Sequence, residues 1–311
     1  MFHVEHYIER MKTVELTIYH VDAFTNEAFG GNPAGVVLDS KNITTEIMQK
    51  IANEMNLSET AFVKQRGEDN YYVRYFTPIT EVDLCGHATI ASFYTLAKQE
   101  YIKPIYNGIK TVNLITNNLK LDIDIEYKDR KLVGIKMEQA RPKSYGILKS
   151  AEDILSVSNL RSHDIGFEDQ DLKAEVISTG LKDIILPLKS KEALDNLNFD
   201  MCDLEDLSES LDVIGVNAFY LPEKDSDIVY VRNFAPLVGI DEESATGTAN
   251  GAMIYYLKMH GLIKGNEITA KQGANLGRPS EIDCYIEEVD GEYVVKVGGT
   301  ANITIEGILK Y

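Results

Sequence analysis

Arg74-Tyr75-Phe76-Thr77-Pro78 and Arg232-Asn233-Phe234-Ala235-Pro236 are two occurrences of one pattern, Arg-x-Phe-x-Pro, about half a chain apart. Each closes a strand-like run, Tyr71–Phe76 in the first case and Ile228–Phe234 in the second, and Pro is a natural strand terminator because it lacks a backbone donor. A loop follows each Pro, then a Gly-polar step, then a helical stretch rich in small residues. The steps are Cys85-Gly86-His87-Ala88-Thr89 and Thr246-Gly247-Thr248-Ala249-Asn250. A repeated strand–loop–helix unit implies duplicated halves. Two such halves would set their helix starts face to face across a cleft, where small-molecule sites form.

Working outward, Leu119 to Tyr127 alternates apolar and charged residues as a half-buried antiparallel strand does. Ile282 to Val297 reads as a hairpin turning at Asp290-Gly291. Further strands are expected at Val14–Tyr19, Gly35–Leu38, Leu132–Met137, Ile184–Leu188, Val216–Leu221 and Ile303–Ile305. Helical periodicity appears near 45–55, 87–99, 190–197, 203–213 and 248–260. Strands outnumber helices without strict alternation, so the fold class is α+β with mostly antiparallel or mixed sheets. The charged turn Lys128-Asp129-Arg130 divides the chain into an N-terminal domain, 13–130, and a C-terminal domain, 131–297. Residues 298–311 are a candidate to complete the first domain. The polar stretch 158–173 is expected to be a surface loop.

The chain of 311 residues carries a formal net charge of −18. So acidic a surface repels nucleic acid and anionic lipid, and neither is an expected partner. A small anionic substrate remains compatible, because helix-end fields reverse the sign locally. No run approaches the roughly 18 apolar residues of a membrane span, and residues 1–12 lack the apolar core of a secretion signal. Three scattered cysteines point to a reducing compartment, and the cytoplasm is the expected location. No metal site is expected: His3 and His6 have ligand-like spacing but no companions.

Glu59, flanked by Leu57 and by Ala61-Phe62-Val63, is a candidate acid/base whose pKa burial would raise. His87, at a helix start, is placed to bind a carboxylate or to orient Glu59. Cys85 precedes that helix, a position that lowers a thiol pKa. Glu243 and Thr248 flank the second helix start, and the amides of Gly86 and Gly247 open the two helices. Gly30-Gly31-Asn32-Pro33-Ala34-Gly35 lacks the spacing of a dinucleotide loop, and Pro33 removes an amide, so it reads as a tight turn.

These segments together resemble the phenazine biosynthesis-like (PhzF-like) isomerase family, which shares the diaminopimelate epimerase fold. The matching stretches include Val21-Asp22-Ala23-Phe24-Thr25, Gly30 to Val36, Asn56 to Phe62, Arg74 to Pro78, Glu81 to Thr89, Ala245 to Ala249, Gln272-Gly273 and Gly277 to Ser280. The resemblance implies two similar domains, each a curved sheet around a central helix, with the site between them. It implies that Glu59 is the acid/base that withdraws and returns a proton, that His87 binds substrate, and that Gly86, Gly247 and Thr248 hold it. It also implies a cofactor-independent, metal-free isomerase, and a homodimer as in several members.

Two departures concern the substrate. Glu243-Ser244 stands where the family has Asp-Pro, and Thr248 stands where a Ser is common. Fold relatives that racemise amino acids use two opposing cysteines, whereas this chain pairs Cys85 with Thr246. The expected activity is a proton shift on a small carboxylate-bearing substrate. A Cys-assisted epimerase or racemase and a non-catalytic metabolite-binding protein are the alternatives.

Overall fold

The computed structural model describes residues 13–168 and 170–311; residues 1–12, with His3 and His6, lie outside the described residues. The first half runs β1 (Glu15–Ala23), β2 (Asn32–Val37), α1 (Thr45–Met55), β3 (Glu59–Gln65), β4 (Asn70–Phe76), β5 (Glu81–Val82), α2 (Gly86–Lys98), β6 (Gly108–Ile115), β7 (Lys120–Lys128) and β8 (Lys131–Glu138). The second begins with β9 (Lys143–Ile147), α3 (Glu152–Ser156), β10 (Glu175–Ser178), β11 (Lys182–Pro187), α4 (Lys191–Asp195) and α5 (Met201–Leu211). It continues with β12 (Val216–Tyr220), β13 (Ile228–Ala235), β14 (Ile240–Glu243), α6 (Gly247–Met259), β15 (Glu267–Gln272), β16 (Ser280–Val289), β17 (Glu292–Gly299) and β18 (Ala301–Lys310).

The pairings repeat between the halves. β2–β3 and β4–β6 are parallel, as are β11–β12 and β13–β15. The antiparallel pairs β3–β4, β6–β7 and β7–β8 recur as β12–β13, β15–β16 and β16–β17. β18 pairs with β1 and β9 with β10, while β8 pairs directly with β17. The halves therefore meet along a hydrogen-bonded seam. The α+β class with few helices is what strand-rich periodicity implied.

The eighteen strands of the described residues form one continuous sheet rather than the two separate sheets expected, and each half of it packs around one helix. α2 and α6 are both thirteen residues long and buried on nearly every side. Ala88, Ala91 and Ala97 in α2, and Gly251 and Ala252 in α6, let the strands approach closely. Ile90, Phe93 and Leu96 share one continuous core with Met253, Ile254 and Leu257. Fully burying side chains of this size contributes about 1.5–3 kcal/mol each. Two lesser cores lie outside the sheet, one under α1 with Phe62 and Phe76, the other under α4 and α5 with Leu204 and Phe234.

The repeated arginines explain their motif. Arg74 donates from Nε and Nη2 to both Glu81 oxygens at 2.7 Å. Arg232 does the same to Glu242, at 2.8 and 2.7 Å. Each guanidinium also lies over the Phe of its own motif, 5.0 Å from Phe76 and 4.8 Å from Phe234. The motif thus pins the short strand after each Pro back onto its parent strand, and that short strand leads into the buried helix.

Several elements differ from expectation. β6, β9, β10 and β15 were not anticipated. In β6 only Val112 and Leu114 are buried, and β10 is four residues long, so neither shows a usable period. α5 begins at Met201 because the Asp200 carboxylate accepts from the amides of Cys202 and Asp203. Asn32-Pro33-Ala34 is already strand, not turn. The polar stretch 158–173 runs partly inside, with Leu160, Ile165 and Phe167 buried. Among the described residues no helix is long and apolar enough to cross a membrane.

The Arg232–Glu242 pair is more buried (12% and 11% exposed) than Arg74–Glu81 (17% and 30%). Replacing Arg232 by Met strands a buried carboxylate, and the expected loss is about 3–5 kcal/mol. Arg74→Met is expected to lose roughly 1–2 kcal/mol. Urea unfolding of the two variants checks the order.

Candidate active site

α1 is capped by Thr44 and ends at Asn56, whose left-handed backbone (φ 49°) turns the chain sharply. Three residues later Glu59 opens β3, in register with Ala34 of β2. Alternation along β3 sends Phe62 outward to the α1 core and Ala61 and Val63 inward to the α2 core. Glu59 shares the inward face. It stands at the end of the sheet where α2 begins.

Neither central helix has a side-chain N-cap. Cys85 and Thr246 occupy the cap positions in extended backbone, and neither first turn contains an acid. Their first amides and the positive end of each helix are left for a ligand. Gly86 and Gly247 are the first residues of the helices, and Thr248 is the second of α6, half-buried, its carbonyl accepting from the Thr179 hydroxyl at 2.8 Å.

Glu59, Cys85 and His87 converge at the first start. Glu59 Oε2 lies 3.2 Å from His87 Nε2, and Cys85 Sγ lies 3.4 Å from Nδ1. The Glu59–His87 approach is close but poorly aligned for a hydrogen bond, so Oε2 is buried with its bonding capacity unused. From the other half, Glu243 Oε1 comes within 3.9 Å of His87 Nδ1. Its Oε2 accepts from the Thr246 hydroxyl at 2.7 Å. One ligand atom each from Glu59, Cys85 and His87 lie within 4.8 Å of one another, a spacing a metal ion could span.

Asn32 ties the halves together, and sequence reasoning missed it. Its amide nitrogen reaches His87 Nδ1 (3.3 Å), Glu243 Oε1 (3.0 Å) and the Ala245 carbonyl (3.0 Å). The neutral ring that accepts from Asn32 and the imidazolium both keep a proton on Nε2, facing Glu59. Asn32 is itself held from across the cleft. Arg278 donates to the carbonyls of Gly30 and Gly31 (2.6 and 2.9 Å) and to Asp22 (2.7 Å), while Ser244 donates to Gly31. Gly31 has φ 62°, and a Cβ there would come within 2.2 Å of the Ala23 carbonyl. Gln272 braces the second helix start, accepting from the Thr246 and Asn250 nitrogens and donating to the Glu243 carbonyl. The Gly-Gly-Asn-Pro and Gln-Gly stretches were the available signals.

The charge states follow from burial against contact. Burial pushes the Glu59 carboxyl up, but the close approach of His87, its charge and Cys85 outweigh that, and Glu59 sits below the usual glutamate range. The expected raised value is therefore reversed. Burial likewise opposes the His87 imidazolium, yet contacts with Cys85 and Glu59 hold it well above an ordinary histidine. Glu243 is raised by burial, which His87, Thr246 and Asn32 only partly offset. Cys85 is pushed up to about 11 by burial, against the pull of His87, so the helix start does not deliver a thiolate.

A carboxylate, an imidazole and a second carboxyl thus lie beside two uncapped helix starts. A family model described as phenazine biosynthesis-like protein matches residues 21–307. The chain belongs to this family. An uncharacterised isomerase of Clostridium acetobutylicum is 35% identical over 308 residues, covering 94% of this chain and 97% of that one. Trans-2,3-dihydro-3-hydroxyanthranilate isomerase of Pseudomonas aeruginosa is 30% identical, covering 92% and 96%. The crystal structure of a PhzF-family protein of Bacillus anthracis superposes with a TM-score of 0.83 at 26% identity, over 95% and 99% of the two chains. A hydroxyproline epimerase of Agrobacterium vitis shares the fold at a TM-score of 0.58 and 10% identity. The protein is an isomerase of the PhzF family.

Cys202 is exposed while Cys85 and Cys284 are buried, and burial raises both buried thiols. Alkylation with iodoacetamide at pH 8 is expected to label Cys202 alone within minutes, as read by peptide mass spectrometry.

Proposed function

We propose that this isomerase moves a proton between two carbons of a small, carboxylate-bearing unsaturated substrate, with Glu59 as the base. The observation that carries this reading is the unpaired, buried Glu59 oxygen, held as carboxylate beside His87 at an uncapped helix start. The substrate's carboxylate would sit on the amides of Gly86 and Gly247, with Thr248 beside it. His87 and Glu243 would orient the ring or chain so that its acidic C–H meets Glu59.

Removing that proton leaves an electron pair delocalised into the unsaturated system and its carboxylate. The helix-start amides and the His87 N–H lower the energy of this charge. Return of a proton at another carbon completes the shift without gain or loss of electrons. No cofactor enters the scheme. A metal ion on Glu59, Cys85 and His87 would occupy the oxygen the base requires. The chemistry of the Pseudomonas relative, named for an isomerisation of a cyclic dihydro-hydroxyanthranilate, supports this substrate class here. The Cys-assisted alternative is weakened by the raised Cys85 thiol and by Thr246 opposite it.

Glu59→Gln is expected to lower turnover by about 10²–10⁴-fold, the usual worth of a positioned base, with little change in stability. Incubation of wild type with a cell metabolite extract in D2O, read by mass spectrometry, should label or isomerise at least one carboxylate that the variant leaves untouched. Equal isomerisation by both proteins would refute the role of Glu59. Because its carboxyl lies below the ordinary glutamate range, the acid limb of kcat/KM, where the base is lost, should lie below about pH 4.3.

A further inference from the structure

One buried carboxyl has no part in that scheme. Asp183, in β11, is 2% exposed. Ile184 and Leu186 belong to the outer core with Leu204, whereas Ile185 belongs to the central core with α6. Asp183 shares the face of Ile185, toward α6.

The internal duplication shows what this position is. Thr60 lies opposite Phe76 and Val216 lies opposite Phe234, the two Phe residues of the repeated motif. Glu59 is therefore equivalent to Gly215. Gly35 pairs with Thr60 and Ile184 with Val216, which makes Asp183 equivalent to Ala34, the residue in register with Glu59. The Glu59 position cannot carry a side chain in the second half, because a Cβ on Gly215 would come within 1.9 Å of the Phe234 carbonyl. The second half carries its carboxyl one strand over, on the same sheet face and at the same end of its central helix.

The surroundings leave that carboxyl free. Its cross-strand partner on β10 is Ile177, and on the other side the carbonyl of Gly215 accepts from the amide of the next residue, Ile184. Asn217 and Asn233 are engaged with the Ala249 carbonyl and with each other. Lys182 is turned to Asp212. From α6 the nearby first-turn residue is Thr248, whose methyl lies against Gly180. The one charged group acting on Asp183 is Glu243 of the site, and no hydrogen bond or ion pair holds its oxygens among the described residues.

We propose that Asp183 is a second acid of this site, delivering a proton from the C-terminal half to the carbon that Glu59 does not serve. The proposal rests on the Glu59 reading above. In the forward step Glu59 takes a proton from one carbon, and the electron pair left behind spreads over the substrate. The Asp183 O–H bond then breaks as that pair forms the new C–H bond. Glu59 ends protonated and Asp183 ionised, and solvent protons reset both before the next cycle. Burial, aided by Glu243, raises the Asp183 carboxyl to about 8, while Glu59 is held low. At neutral pH the halves thus present one acid and one base, as a proton relay requires.

The test compares wild type, Asp183→Asn, Asp183→Glu and Glu59→Gln on whichever extract metabolite wild type isomerises. Asp183→Asn should lower kcat by 10²-fold or more with KM nearly unchanged, and Asp183→Glu should restore part of it. Wild-type activity should fall as pH rises past about 8, where the acid is lost, and the residual activity of Asp183→Asn should lack that limb. Because its folded pKa is raised, Asp183 stabilises the protein at low pH and this contribution is lost as pH rises toward 8. Wild-type melting should show that decline and Asp183→Asn a smaller one, because Glu243 and His87 are also raised and still contribute, a readout that holds whether or not the variant is active. Full kcat in Asp183→Asn, or a loss confined to KM, would overturn the proposal. Full activity in Glu59→Gln would instead overturn the reading beneath it.

Discussion

Two long helices begin inside this protein without side-chain caps, and the rest of the site answers to that constraint. Buried amides at a helix start are costly unless something accepts from them. Cys85 and Thr246 leave them free, and the halves are joined so that both starts open on one place. The protein's acidity makes the point sharper. A chain with a net charge of −18 attracts a small anion only where local fields run against the global one.

Holding the two starts in register falls to a few buried contacts. Arg278 and Ser244, from the second half, grip the Gly30-Gly31 turn of the first, and that grip places Asn32. Asn32 in turn fixes His87 against Glu243. The pairing of β8 with β17 and of β18 with β1 keeps the halves from separating as independent bodies. The site's geometry is thus set by backbone hydrogen bonding and one amide, without a flexible linker between halves.

Much of this was legible in the sequence, and the rest was hidden for identifiable reasons. Arg-x-Phe-x-Pro could be read because its chemistry is local: the Arg finds its Glu seven or ten residues on. The hairpin at Asp290-Gly291 was legible because both residues adopt positive φ. Asn32 was hidden because its partners lie 55 and 211 residues away, and Gly-Gly-Asn-Pro looked like turn chemistry. The burial around Glu59 was signalled by its flanking apolar residues, but the direction of its pKa depended on His87, whose approach no local pattern reveals. Asp183 carried no signal at all, since Lys182-Asp183 resembles an exposed strand start until the register shows which face it takes.

The central claim is that both uncapped helix starts bind one anionic group. Titration of ¹⁵N-labelled protein with 3-hydroxyanthranilate, followed by amide NMR, tests it most directly. The Gly86 and Gly247 amides should shift together and saturate with a single dissociation constant. Saturable binding that moved residues elsewhere and left both glycines unchanged would contradict it.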